Sequence, residues 1–294
     1  MDQPVLVFHG ELDSHTAQIY VKWAERSNGE WTLRGQVRGP FSAHARTLPA
    51  TFALRDLGPG PSLLARATVA DPCFWAPDQP FYYEVGAEVG RGTEVLARAE
   101  QIVGLRHLGL LRGQLYWERQ VWTLIGCRDD ADAVRPWSVW RDQHAVRVVV
   151  SPSEVVCRDA SLEGVVLVAH LDAQSLVDTD IERETRRIGK WPAVAMLLIT
   201  GDVAGDLPLR DAAPNCLLAA AWNPGQTEPL ASWAQVAMVS IAEGSTSAAI
   251  APPPIPWIAQ CRQSAAGALE QRVALAREWV AQWSSCGSCV GCIV

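Results

Sequence analysis

Val194-Ala195-Met196-Leu197-Leu198-Ile199-Thr200 runs for seven residues with its one polar side chain at the end. A strand that is apolar at every position must be covered on both faces, which is the condition of a buried parallel sheet. Runs of the same kind recur at residues 121–126, 145–150, 165–169, 216–220, 236–241, 255–261 and 289–294. Longer polar or amphipathic stretches separate them. Residues 178–190 are charged on one side, and residues 265–283 place Leu269, Val273, Ala276 and Val280 at helical spacing. Eight strand candidates interleaved with helices predict a compact (β/α)8 TIM barrel over residues 117–294.

Upstream the texture differs. Residues 1–110 carry short alternating runs at 4–8, 17–23, 31–37, 51–54, 62–69, 81–89 and 95–103, with no helical period. Turn signals divide them, among them Ser27-Asn28-Gly29-Glu30, Gly58-Pro59-Gly60-Pro61 and Gly90-Arg91-Gly92. About seven strands at this spacing predict an antiparallel β-sandwich.

Composition narrows the function. Apolar residues make up 49% of the 294, enough to bury a core in each region. The formal charge of −7 argues against a nucleic-acid or anionic-membrane surface, either of which needs a basic face. Nothing at residues 1–10 reads as a signal peptide, and no apolar run reaches spanning length, so a cytoplasmic protein with no membrane contact is expected. Of the eight cysteines, Cys286, Cys289 and Cys292 are clustered, but they lack a fourth ligand at a familiar spacing. They are expected to be buried thiols with Cys73, Cys127, Cys157, Cys216 and Cys261, so that neither metal nor cofactor is implied.

Six stretches then match one pattern in order. Phe74-Trp75-Ala76-Pro77-Asp78-Gln79-Pro80-Phe81-Tyr82-Tyr83 is followed by Gly104-Leu105-Arg106 and by a run from Gly113 to Gly126. After these come His144-Ala145-Val146-Arg147, Leu162-Glu163-Gly164-Val165-Val166-Leu167-Val168 and Trp191-Pro192-Ala193-Val194-Ala195-Met196. The series resembles the W-S-P-x-x-P-x-L-Y, G-F-R, F-x-x-N-G-K-x-x-x-L-R-G, N-A-V-R, L-G and H-P-S-V segments of glycoside hydrolase family 2. In the third match Glu118-Arg119 stands where the family has an Asn-Gly turn. The resemblance covers residues 74–202. It implies an immunoglobulin-like sandwich at 1–110 followed by the barrel, and a carbohydrate or protein partner.

It also implies where catalysis would sit, and there the chain departs from the family. The acid/base glutamate after an asparagine on the fourth strand corresponds to Asp202 after Gly201. Counting from Pro256 puts Cys261 at the nucleophile position of the seventh strand. Val150 stands for a histidine on the second strand, and His170 for the acidic residue that ends the third. Retaining hydrolysis needs two carboxyls roughly 5–5.5 Å apart, and aspartate is a methylene shorter than glutamate. A catalytically degenerate member, acting as a scaffold or binding module, is therefore expected. The alternative is an active glycosidase using Asp202 and Glu243 as relocated carboxylates.

Other groups predicted at the barrel's C-terminal face are Arg128, Asp129, Asp130, Ser151, His170 and Asp172. Arg147, which the resemblance turns toward the sugar site, would pair with Asp129 or Asp202. Trp222 and Trp257 are candidate stacking platforms for a sugar, against the plainer reading that indoles fill the core.

Overall fold

In a computed structural model the described residues are 5–23, 31–128, 135–176, 178–223, 226, 229–241, 253–261, 267–283 and 288–294, side chains of 178–180 excepted. The chain divides into two units, one of residues 1–106 with 190–192, the other of 107–189 with 193–294.

Seven strands build the first unit: β1 Val5–Leu12, β2 Thr16–Trp23, β3 Thr32–Phe41, β4 Ala50–Asp56, β5 Leu63–Ala70, β6 Tyr82–Arg91 and β7 Glu94–Val103. Their alternation is the cause of the layer. In β2 the residues Ala17, Ile19, Val21 and Trp23 are buried, while Thr16, Gln18, Tyr20 and Lys22 face the other way. Ala65, Ala67 and Val69 of β5 and Leu33, Val37, Val85 and Ala87 of β3 and β6 complete the same core.

The expected two-sheet immunoglobulin-like sandwich is corrected here. The strands form one continuous antiparallel sheet in the order β1-β2-β5-β4-β3-β6-β7. The reason is β4, whose residues 50–54 pair with β3 while Arg55 and Asp56 pair with β5. At this junction the Asp56 carboxylate accepts from Leu33 N at 2.7 Å and Gly58 N at 2.6 Å. The sheet curls over its core instead of splitting.

The second unit opens with a small antiparallel sheet of β8 Leu108–Leu111, β9 Gln114–Trp117 and β10 Gln120–Val121. Both connecting turns are two-residue loops with positive φ at each position: Arg112 (49°) with Gly113 (80°), and Glu118 (48°) with Arg119 (64°). Turns of this hand suit the twist of a hairpin and favour Asn-Gly. Glu118 and Arg119 keep the geometry without those residues, and Glu118 is also engaged by His107, whose Nδ1 lies 3.3 Å from Oε2.

Eight parallel strands follow and close into a barrel: β11 Leu124–Arg128, β12 Val146–Val150, β13 Leu167–Asp172, β14 Val194–Thr200, β15 Leu217–Trp222, β16 Val236–Ile241, β17 Trp257–Cys261 and β18 Cys289–Ile293. The helices are α1 Trp137–Asp142, α2 Glu154–Glu163, α3 Asp178–Gly189, α4 Leu209–Ala212 and α5 Leu269–Trp283. Local signals set their limits: Ser153 caps α2 by accepting from Val156 N, and left-handed Gly164 ends it.

A full (β/α)8 TIM barrel is the second correction. Among the described residues α-helices occupy five of the seven interstrand connections, and α1 and α4 are only six and four residues long. No helix lies among the described residues between β15 and β16, which turn where Ala234 N donates to Ala231 O at 3.0 Å. Short connections leave room for turns where eight helices would need more chain.

Replacing Arg119 by Gly is expected to raise the stability of this unit by about 1 kcal/mol, because a left-handed residue with a Cβ carries that order of strain. Urea denaturation measures it, and an unchanged midpoint would show the turn to be unstrained.

Candidate functional site

Register decides which side chains enter the barrel. Paired residues at one level of a sheet point to the same side. The pairs Gly126–Val146, Arg128–Val148, Val148–Val168, His170–Leu198, Leu198–Ala219, Ala219–Val236, Met238–Ile258, Gln260–Ile293 and Gly126–Ile293 carry one face around the ring and close it. The opposite face meets the helices. Trp257 of β17 makes an edge contact with Trp283 of α5 at 5.9 Å, and the Arg147 guanidinium lies over Trp137 and Trp140 of α1 at 4.6 and 5.7 Å. The set containing Arg128 and Gln260 is therefore the interior.

Its deeper layers are apolar, with Val148, Val168, Met196, Leu198, Val236 and Ile258 buried. At the C-terminal ends of the strands it turns polar, with Arg128, His170, Asp172, Thr200, Ser240 and Gln260 half-buried. The Gln260 amide oxygen faces Arg128, accepting from both Nη2 and Nε, once the amide is oriented by its donors. Its nitrogen then lies 3.4 Å from Ser240 Oγ. Across the mouth His170 Nε2 is 2.9 Å from Thr200 Oγ1, which also reaches Leu171 O at 3.4 Å. His170 Nδ1 is buried and has no hydrogen-bond partner among the described residues. The Asp172 carboxylate caps the single 3-10 turn at Ala173–Ser175 by accepting from Gln174 N at 3.1 Å.

Burial and the neighbouring Arg128 charge hold the His170 pKa below its ordinary value, with Asp172 opposing them. Burial alone lowers that of Arg128.

The residues singled out from sequence do not gather at one point. His170 lies in the mouth, and Asp202 is exposed just beyond β14, past Gly201 at φ 93°. Cys261 shares the outward face with Cys292, their sulfurs 3.5 Å apart. Arg147 and Trp257 face the helices, and Trp222 ends β15 at the level of Val239, also on the outward set. Asp129, Asp130, Glu243 and Cys286 lie outside the described residues. Thr200, Ser240 and Gln260 are mouth residues that the reading of sequence passed over; each is the one polar residue of an otherwise apolar run, at its strand's end or one residue short of it. Among the described residues no three of His, Cys, Asp and Glu converge as a metal site, and no helix is long and apolar enough to cross a membrane.

No family model and no curated protein matches the chain. Solved structures do. A Bifidobacterium dentium β-glucuronidase complexed with coumarin-3-O-glucuronide matches 98% of the chain at 13% identity and a TM-score of 0.62. An FMN-binding β-glucuronidase from Facaelibacterium prausnitzii L2-6 matches 99% at 15% and 0.64, and a β-galactosidase from Bacteroides fragilis, itself assigned by inference, matches 99% at 12% and 0.60. The fold is shared with family 2 glycoside hydrolases. The chain spans 59%, 55% and 54% of those three proteins.

A histidine whose pKa is lower folded than unfolded binds fewer protons when folded. Its stabilising contribution is full above the unfolded value and is lost as pH falls through the folded one. The unfolding free energy is therefore expected to fall more steeply from about pH 7 to about pH 5 in the native protein than in His170→Gln. Equal slopes in paired urea titrations would show that His170 is not held neutral.

Proposed function

We propose that this chain is a catalytically degenerate relative of the family 2 glycoside hydrolases, whose barrel mouth binds carbohydrate without cleaving it. The observation that carries this reading is the pair of interior positions ending β14 and β17, which hold Thr200 and Gln260. Glycoside hydrolysis with retention needs a nucleophilic carboxylate and a second carboxyl that protonates the leaving oxygen. An amide and a hydroxyl supply neither. Asp202 leaves one exposed carboxylate near the fourth strand's end, and Asp172 is spent on its turn. Among the described residues of the mouth, hydroxyls, an imidazole, an amide and a guanidinium remain, groups that hydrogen-bond a polyol.

The neighbours support the substrate class, since one of them is solved with a bound glucuronide. Likeness at this level of identity supports fold and ancestry, and the chemistry has to come from the site itself.

The test is hydrolysis of p-nitrophenyl β-glucuronide, β-galactoside, β-glucoside and β-mannoside by the native protein and by Asp202→Ala. No turnover by either is expected, with quenching of tryptophan fluorescence by at least one of the sugars. Turnover lost in Asp202→Ala would replace this reading with an active glycosidase in which Asp202 is the acid/base and Glu243 a candidate partner.

A further inference from the structure

Away from the mouth, the barrel wall holds two thiols in contact. Cys261 ends β17 and Cys292 lies in β18, both on the outward face, with their sulfurs 3.5 Å apart. The strands are neighbours in the ring, yet the two cysteines are 31 residues apart in sequence, with α5 between them. A cysteine alone in a core serves as a small apolar filler. Two in contact can also exchange a proton, or give up a pair of electrons together.

The contact is asymmetric. A hydrogen bond from the Cys292 thiol holds the Cys261 pKa below its ordinary value, while the same bond, burial and the nearby thiols push that of Cys292 up. The thiolate is the attacking form, so Cys261 is the nucleophile of the pair and Cys292 the thiol that follows it. Elsewhere burial works the other way, raising the Cys73 thiol and pushing Cys127 up to about 11, which keeps both protonated. Access favours the same residue. Cys261 is 7% exposed at the end of its strand, and Cys292 is fully buried.

We propose that Cys261 and Cys292 are a reversible dithiol, which a hydroperoxide converts to a disulfide that fastens the barrel's last strand to its neighbour. The Cys261 thiolate attacks one oxygen of hydrogen peroxide, the O–O bond breaks, and hydroxide leaves to take up the proton that Cys261 had released. Cys261 is then a sulfenic acid. The Cys292 sulfur attacks the Cys261 sulfur, the S–O bond breaks, and the departing hydroxide leaves with the Cys292 proton as water. Two thiols have lost two electrons and two protons, and one peroxide has become two waters. The sulfurs have to close by about 1.5 Å to reach a bonded distance of about 2.05 Å, a movement that two side chains share.

The place of the bond gives it a consequence. β18 pairs with β11 on its other side, so it is the strand through which the ring closes. A disulfide from β17 makes a covalent loop of β17, α5 and β18, and such a loop restricts the unfolded chain. Oxidation therefore stabilises the closed barrel, and a small thiol reverses it by exchange. The couple is independent of what the mouth binds.

The experiment treats the reduced full chain with one equivalent of hydrogen peroxide, alkylates the remaining thiols, and reads the unreduced digest by fragmentation mass spectrometry. A peptide pair joined at Cys261 and Cys292 is expected, released by dithiothreitol, and the oxidised protein should unfold at a higher urea concentration than the reduced one. In Cys292→Ala the reaction should stop at a Cys261 sulfenic acid, which dimedone labels. In Cys261→Ala no crosslink should form, and peroxide consumption should fall on the order of tenfold, since the most ionised thiol has gone. If either alanine variant does not fold, the native protein still carries the test, because the crosslink is located on it directly. A crosslink joining other cysteines overturns the inference, as does oxidation of Cys261 to the sulfinic acid with no crosslink, or an oxidised midpoint no higher than the reduced one.

Discussion

Gly291 has no Cβ because the backbone of Leu124 occupies that space, and there two strands from opposite ends of the second unit's sequence lie side by side. Arg128 N donates to Val294 O at 2.8 Å and Val294 N to Gly126 O at 3.0 Å, which closes the ring of eight strands. Arg272 reaches from α5, nearly fully buried, and donates to the carbonyls of Arg128 and Val294 where the two strands end. A sheet edge left open would expose a row of unpaired backbone groups, and closure removes it. It also fixes the register all the way round, so that one seam determines the facing of every side chain in the barrel.

That dependence explains what was legible in the sequence. Eight continuous apolar runs announce eight buried strands, because burial on both faces leaves no room for polar positions. The same property hides the facing: a run such as residues 194–199 is apolar inside and outside alike, so hydropathy does not tell one side from the other. A shift of one residue then exchanges the two faces. Cys261 and Gln260 are the clearest instance. Counting from Pro256 selects Cys261, while the pairing of Gln260 with Ile293 places Gln260 inside and turns Cys261 to the thiol of Cys292. Arg147 is the same problem on β12, where the guanidinium goes to two indoles of α1.

In the first unit alternation is strong, and the strands were legible to within a few residues. Their partners were not. Whether seven strands form two sheets or one depends on β4 alone, which pairs on both sides because its end at Arg55 and Asp56 continues against β5 after residues 50–54 have paired with β3. Alternation records which side of a strand is buried and says nothing about which strand lies beside it. The hairpin at Glu118 and Arg119 shows a related limit. Both residues take the left-handed conformation that Asn-Gly favours, so the turn follows from strand pairing and twist, with local preference overridden.

The chemistry of the mouth follows from how these constraints combine. Strand ends in a closed barrel bring residues far apart in sequence to one ring, and here the ring unites a guanidinium from β11, an imidazole from β13, hydroxyls from β14 and β16 and an amide from β17. Acid–base catalysis at such a ring needs two groups whose environments drive their protonation apart. Among the described residues the ionisable groups at this mouth besides Arg128 are His170 and Asp172: the histidine is biased toward its neutral form, and the carboxylate is committed to a turn. What the described part of the ring keeps is directional hydrogen bonding around one fixed positive charge, and it is on this combination that the proposed ligand-holding role rests.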